Sequence, residues 1–199
     1  MKNTSVVQVK VWDVPVRLFH WLSVASFVLA YVSAEMHLMV VHVWIGYGLL
    51  ALLLFRIVWG FIGSRYARFG SFVFSPQQTL AYVRSLRAGQ AAHYYGHNPA
   101  GALMVFALLA LLAAIFVSGL VTLAVIDYEG PLLFLANAVS DDTAYFFRHA
   151  HDFFVNVALW LIPLHLIGVV VGSLQHRENL VRAMVTGLKR KVPEEAKQH

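Results

Sequence analysis

The chain has 199 residues, of which 59% are hydrophobic, 14% aromatic and only 13% charged, and its mean hydropathy is +0.67. About a quarter of the residues in a soluble domain are charged, so this composition excludes an ordinary soluble domain and indicates an integral membrane protein. The sequence contains no cysteine, which excludes disulfides, thiolate-held iron–sulfur clusters and covalently attached c-type haem.

Four apolar stretches, taken in chain order, predict membrane-spanning helices at about residues 16–35, 40–62, 99–126 and 149–174. Each stretch is long enough to cross a hydrocarbon core about 30 Å thick. We therefore expect an all-α fold, an integral membrane four-helix bundle, as a single domain over residues 1–191. Residues 192–199 are expected to form a flexible tail.

The distribution of basic residues predicts how the chain is oriented. Fourteen of the fifteen Lys and Arg residues fall in the N-terminal segment, in the stretch from Arg56 to the start of span three, or in the C-terminal tail. The other two connections hold only Arg148. Under the positive-inside rule both termini are cytoplasmic, and the formal charge of +5 needs no nucleic acid to explain it.

Two segments outside the spans are expected to be helices in the cytoplasmic headgroup layer. The first runs over residues 75–89, where Ser75 and Gln78 form a capping box and a proline occupies the first helical position. The second runs over residues 177–191, where Leu180, Met184 and Leu188 form one apolar stripe.

Four histidines fall at two predicted depths in the membrane. His151 and His165 lie fourteen residues apart, which on one helix is roughly 21 Å and within about 40° of the same face. The predicted orientation places His42 near the outer surface with His151, and His20 at the inner depth of His165. Two neutral imidazoles that face each other across a bundle are suited to ligate haem iron, so the pattern predicts two bis-histidine haems with centres roughly 20 Å apart.

Other interpretations of these histidines stay open. A single histidine in a membrane helix is commonly a polar contact to a neighbouring helix. Zinc normally requires a tetrahedral cluster with close spacings, and the tight pairs here, His93 with His97 and His149 with His151, are poorly placed for one. His149 is a weak rival to His151 as an iron ligand.

Two arginines are candidates to bind haem propionates. Arg56 lies fourteen residues after His42, so it is expected on the same helix face at the depth of His165. A buried arginine usually has an anionic partner, although the side chain also has the option of reaching the headgroups. Arg17 is a similar candidate near His20.

Further residues are candidates for haem or quinone binding. Gly46 and Gly119 would admit a flat macrocycle, or would simply allow close helix packing. His97 and Asn98 are candidates for the proton-exchanging groups of a quinone site, with a helix-entry motif as the alternative for Asn98. Asp152 either orients an iron ligand, takes part in proton movement or lies at the wet end of its helix.

Several stretches, VWDVPVRLFHWL, HVWIGYGLLALLLFRIVWGFIG, GHNPAGALMV and HRENLVRAMVTG, resemble a bacterial di-haem cytochrome b family. This family contains the b-type cytochrome subunits of nickel–iron hydrogenases and is similar to the cytochrome b561 proteins. The resemblance covers about Val11 to Lys191. It implies a four-helix protein of the bacterial inner membrane with two non-covalent b haems and a diffusible quinone substrate. By position it assigns the iron ligands to His20, His42, His151 and His165.

The leading interpretation is a cytochrome that transfers electrons between the quinone pool and a periplasmic redox partner such as a c-type cytochrome. The loop predicted to lie outside carries four acidic residues and one arginine, which suits a basic partner. A superoxide:quinone oxidoreductase is an alternative that would favour a positive outer surface. A non-redox transporter or metal carrier is another, and it predicts no bound pigment. The chain is expected to act alone or as a homodimer.

Overall fold

A computed structural model describes residues 8–190, so the predicted tail at 192–199 lies outside the described residues. The described chain is mainly helical and includes one two-stranded sheet and short 3₁₀ turns at Phe69–Ser71 and Leu133–Leu135. The elements in chain order are β1 (Gln8–Lys10), α1 (Val14–Glu35), α2 (Met39–Ile62), α3 (Pro76–Arg87), α4 (Pro99–Val125), α5 (Asp141–Gln175), α6 (Leu180–Thr186) and β2 (Leu188–Arg190).

Helices α1, α2, α4 and α5 are long and apolar enough to cross a membrane. This confirms the predicted class of an all-α membrane protein with four spans. The orientation of the termini stays a prediction. The described residues form two compact units, one from residues 8–104 with 166–190 and the other from residues 105–165.

In the first unit, α1 and α2 pack against each other across a short turn. Asp13 caps α1, because its carboxylate accepts a hydrogen bond from the Val16 N–H at 2.8 Å, and Pro15 lies in the first turn. The turn after α1 contains His37 with a positive φ of 58°. The chain therefore enters α1 and reverses into α2 at defined residues.

The predicted helix over residues 177–191 is wrong in its extent. Helix α6 ends at Thr186, because Gly187 has a left-handed backbone with φ of 82° and forms the C-terminal cap. A Cβ at Gly187 would lie 2.5 Å from the Trp12 carbonyl oxygen. The residues that follow form β2, which pairs antiparallel with β1 and places Val9 opposite Lys189.

The capping box of α3 is present as predicted, with Ser75 and Gln78 bonded to each other's backbone N–H groups. A buried core of Val11, Trp12, Val16, Ala67 and Ala183 joins the start of α1 to α6 and to the loop after α2. These contacts fix the ends of the first unit's helices where the candidate residues lie.

In the second unit, α4 from residue 105 onward and α5 up to residue 165 share a core of Val121, Ala124, Val125 and Ala144. Helix α5 begins at Asp141, eight residues before the start predicted for span four. Two aspartates in its first turn stabilise this start by their interaction with the helix dipole. At 35 residues, α5 is about 52 Å long, so it exceeds the hydrocarbon core.

Candidate functional site

His42 lies in the first turn of α2, and its ring is held by the backbone of α1. Its Nδ1 is 2.9 Å from the carbonyl oxygen of Ala30. A carbonyl only accepts hydrogen bonds, so Nδ1 must carry the proton and Nε2 has the lone pair. Histidines that bind metal through Nε2 almost always donate Nδ1–H in this way. His42 therefore has the tautomer that an iron ligand requires.

His151 on α5 has the same arrangement within the second unit. Its Nδ1 is 2.9 Å from the carbonyl oxygen of Ile115 on α4. The buried Ser118 hydroxyl lies 3.4 Å from the same nitrogen and donates to the carbonyl of Ala114 at 2.7 Å. Because the Ile115 carbonyl can only accept a hydrogen bond, the proton lies on Nδ1 of His151. This leaves Nε2 as the nitrogen suited to bind iron.

Two glycines shape the surroundings of these histidines. A Cβ at Gly119 would lie 2.8 Å from Cε1 and 3.0 Å from Nδ1 of His151, which is closer than real side-chain contacts, so glycine is needed for the ring to sit here. In the part of the chain that the structure describes, nothing lies within 4 Å of the Cβ position at Gly46, one turn after His42. The space beside Gly46 on α2 is therefore open, and its use by a haem stays a prediction.

The other two predicted ligands are partly buried on their helices. His20 on α1 makes an edge-on contact with the Trp21 ring, with centroids 4.9 Å apart. His165 lies on α5, two residues after Pro163, which the helix accommodates without interruption. Their role as iron ligands stays a prediction.

Arg56 on α2 is buried, with only 3% of its surface exposed. Its Nη2 donates to the Ala67 carbonyl at 3.1 Å, and its guanidinium lies 4.7 Å from the centre of the Phe69 ring. Among the described residues its Nη1 has no hydrogen-bond partner. A snorkelling arginine would expose its guanidinium, so Arg56 is a buried cation. The Asp13 carboxylate is close enough to attract it electrostatically, and a contact between Nη1 and a haem propionate stays a prediction.

Arg17 forms a link between α1 and α6. Its Nη1 donates to the carbonyl of Val185, and its Nε donates to the carbonyl of Asp13 at 3.4 Å. The structure therefore gives Arg17 a role in holding α6 against α1. A propionate contact for this residue stays a prediction.

The two candidate quinone residues, His97 and Asn98, lie at the entry to α4. The His97 ring packs against Trp12 and Phe72, with centroids 4.7 Å and 4.4 Å away. The Asn98 side chain accepts a hydrogen bond from the Gly101 N–H at 2.7 Å. Asn98 thus makes the contact expected of a helix cap, while a role in quinone binding stays a prediction.

Asp152 is exposed on α5 and lies 3.8 Å from Arg148, one turn earlier. Exposed pairs of this kind contribute less than about 1 kcal/mol. Its position fits the interpretation of a residue at the wet end of the helix.

A family model described as prokaryotic cytochrome b561 matches residues 11–187 of the chain. The chain belongs to this family. The resemblance seen in the sequence is thereby confirmed. Searches of curated proteins and of solved structures find no match.

As a member of the cytochrome b561 family, the chain is a multi-pass membrane protein that binds b-type haem and takes part in electron transfer. The described residues fit a b-type haem. Both His42 and His151 have the tautomer suited to an iron ligand, Gly119 leaves space for an imidazole, and Arg56 holds an unsatisfied donor that a propionate would accept from.

Sequence reasoning missed two residues that shape the site. Asp13 accepts hydrogen bonds from the Trp59 indole at 3.0 Å and from the Ser64 hydroxyl, so it ties the start of α1 to the end of α2. Burial alone would raise the pKa of Asp13, but these bonds and the one from Val16 outweigh it and lower the pKa. Ser118, the second, was detectable as a polar residue beside Gly119 in an otherwise apolar span.

Proposed function

We propose that this cytochrome binds two b haems and transfers electrons between the membrane quinone pool and a periplasmic redox partner in the bacterial inner membrane. The observation that carries the proposal is the shared geometry of His42 and His151. Each donates Nδ1–H to a backbone carbonyl at 2.9 Å. A polar contact to a neighbouring helix would be satisfied by either nitrogen, whereas iron ligation requires this tautomer.

The pairing of ligands follows from the depths that the sequence predicts. We pair His42 with His151 at the outer depth and His20 with His165 at the inner depth. Helix α5 is continuous from Asp141 to Gln175, which supports the use of its two histidines at two depths.

The residues around the four histidines are proposed to bind and orient the haems. When bound, a b haem with two histidine ligands supplies one-electron chemistry without an open coordination position. Arg56 provides a buried cation for a propionate, with one donor already fixed on Ala67. Gly46 leaves an open helix face beside His42.

Quinone and partner are assigned from charge and position. His97 and Asn98 are the proposed quinone-binding residues at the α4 entry. The exposed acidic residues Asp127, Glu129, Asp141 and Asp142 suit a basic redox protein such as a c-type cytochrome. The same charges would repel superoxide, which disfavours a superoxide:quinone oxidoreductase.

The test is haem binding and quinol oxidation in the purified protein and its variants. We expect two low-spin b haems per chain, reduced by a short-chain quinol. Each of His20→Ala, His42→Ala, His151→Ala and His165→Ala is expected to lose one haem. The matched control is His149→Ala, because this exposed histidine lies two residues from His151 and should leave both haems in place.

The proposal fails in two distinct ways. A colourless protein would support a transporter or metal carrier instead. Loss of a haem in His149→Ala but not in His151→Ala would overturn the ligand assignment on α5.

A further inference from the structure

A cluster of four ionisable side chains lies outside the haem-ligand positions, in the first unit. It consists of His93, His176, Glu178 and Lys189, and is called the His93 cluster below. Glu178 Oε2 lies 3.6 Å from His93 Nε2 and 3.3 Å from Lys189 Nζ. The His93 and His176 rings meet edge to face with centroids 5.3 Å apart. Four titratable groups thus share one small volume.

The ion pair of the cluster is buried, and its two imidazoles are half-buried. The side chains of Lys189 and Glu178 are only 5% and 10% exposed. Lys189 donates a hydrogen bond to the Tyr94 carbonyl at 3.4 Å, and Glu178 accepts one from the Arg190 N–H at 3.2 Å. The Tyr95 ring meets the His93 ring edge on. A buried ion pair alone would hold β2 in place, but it does not explain two imidazoles beside it.

The surroundings of both imidazoles favour the neutral form, which is the form that can accept a proton. Burial lowers the pKa of His93, and Lys189 lowers it further while Glu178 opposes the change. Burial also lowers the pKa of His176, and its neighbours His93 and Lys189 add to this effect. Each ring is therefore neutral near pH 7, and protonation of one disfavours protonation of the other.

The cluster reaches solvent on one side. Glu178 and Lys189 line a cleft of about 310 Å³ whose other walls include Arg177, Arg182 and Arg190. At about 30 Å³ for each water molecule the cleft holds several. Its three arginines create a positive potential that lowers the proton affinity of the groups beside them.

On the other side, the chain leads from the cluster to the proposed quinone residues. His97 lies four residues after His93, so the two α-carbons are at most about 14 Å apart. The segment between them is not helical. The His93 cluster thus borders a solvent-facing cleft and lies on a chain segment that reaches His97 within about 14 Å.

We propose that the His93 cluster accepts the protons released when a quinol is oxidised near His97, and passes them to the arginine-lined cleft. This inference rests on the proposed function. Oxidation of one quinol breaks two O–H bonds and forms two carbonyl groups. Its two electrons leave through the cytochrome's electron-transfer activity to the redox partner, and its two protons pass to the imidazoles and then to water.

The experiment mixes oxidised holoprotein with a short-chain quinol in weak buffer. Haem absorbance and a pH-indicator dye are followed together at pH values from about 5.5 to 8, which bracket the histidine range. In the unmodified protein we expect the rate to rise with pH, because a protonated imidazole cannot accept, and the dye to report protons released in step with haem reduction.

His93→Gln and His176→Gln are expected to slow haem reduction by about tenfold and to flatten the pH profile. This is less than the about 10²- to 10⁴-fold contributed by a base that contacts the reacting group, because these imidazoles receive the proton at a later step. Lys189→Met is a second kind of variant. It removes a charge that lowers the pKa of both histidines, so the pH midpoint should move upward. A purely structural role would not produce that shift. The control is His37→Asn, an exposed histidine in the turn after α1.

The outcomes separate the inference from the proposed function. If the variants keep both haems and retain the unmodified rate and pH profile, the proton role is wrong and the cytochrome function stands. If no quinol reduces the haem of the unmodified protein, both are wrong.

Discussion

The substitution Gly119→Ala tests how His151 is held. The new Cβ would lie 2.8 Å from Cε1 and 3.0 Å from Nδ1 of the ring, whereas ordinary contact begins at 3.4 Å. The ring would therefore have to move by about 0.6 Å, the difference between 3.4 and 2.8 Å. Such a movement acts directly on the hydrogen bond of 2.9 Å to the Ile115 carbonyl.

Two effects determine the expected loss of haem-binding free energy in Gly119→Ala. Overpacking of this kind costs about 1–3 kcal/mol, and loss of the Nδ1–H bond costs about 0.5–1.5 kcal/mol. If the ring relieves the overlap by turning, only the smaller cost of the lost hydrogen bond applies. Nε2 then no longer has the orientation in which it would bind iron. At 1.4 kcal/mol for each tenfold change, a loss of about 1–3 kcal/mol weakens binding of one haem by roughly 5- to 150-fold.

The assay is titration of haem into the haem-depleted protein, followed in the visible spectrum. We expect one of two binding phases to weaken while the other is unchanged. Gly48→Ala is the matched control, because in the described chain nothing lies within 4 Å of its Cβ position and the residue is exposed. Two unchanged phases in Gly119→Ala would refute the view that His151 binds haem from its observed position.

The remaining predictions concern charge and stability. Arg56→Met removes a buried cation and is expected to lower the midpoint potential of one haem in a redox titration. The control Arg68→Met changes an exposed residue and should leave both potentials unchanged. Equal potentials in the unmodified protein and in both variants would contradict the propionate assignment. Asp13→Ala removes a helix cap and two side-chain hydrogen bonds, so chemical denaturation should show a loss of about 2–3 kcal/mol, and a loss below about 0.5 kcal/mol would count against it. Burial lowers the pKa of His93 and His176 below 6.5. Below that pH the unfolded chain therefore binds more protons than the folded chain, so Tm should fall on acidification from about pH 7 to 5.5. The double His→Gln variant should show a flatter dependence, and an equally steep one would be evidence against burial of these rings.

The sequence was sufficient to predict the four spans, because hydropathy over about twenty residues reports directly on membrane crossing. It was also sufficient for the capping box at Ser75, whose partners are three residues apart. The pairing of β1 with β2 was missed, since each strand has only three residues and the pair joins the two ends of the described chain. Gly187 was the one local signal that the last helix ends early.

The candidate site shows a similar division. The histidines were found by spacing, but the acceptors of their Nδ1–H groups are backbone carbonyls of Ala30 and Ile115. Every residue has a carbonyl, so no residue type marks these positions. The environment of Arg56 depends on how the loop after α2 folds back over the helix. This fold requires Gly60, because a Cβ there would overlap the Phe69 ring. Tertiary packing of this kind has no short-range sequence signal.

The assignment of two haems to four histidines is tested most directly by the ratio of haem to chain in the purified protein, measured together with its reduced-minus-oxidised spectrum. We expect two low-spin b haems for each chain. One haem for each chain would contradict the assignment of His20 and His165 or that of His42 and His151, and no haem would contradict both.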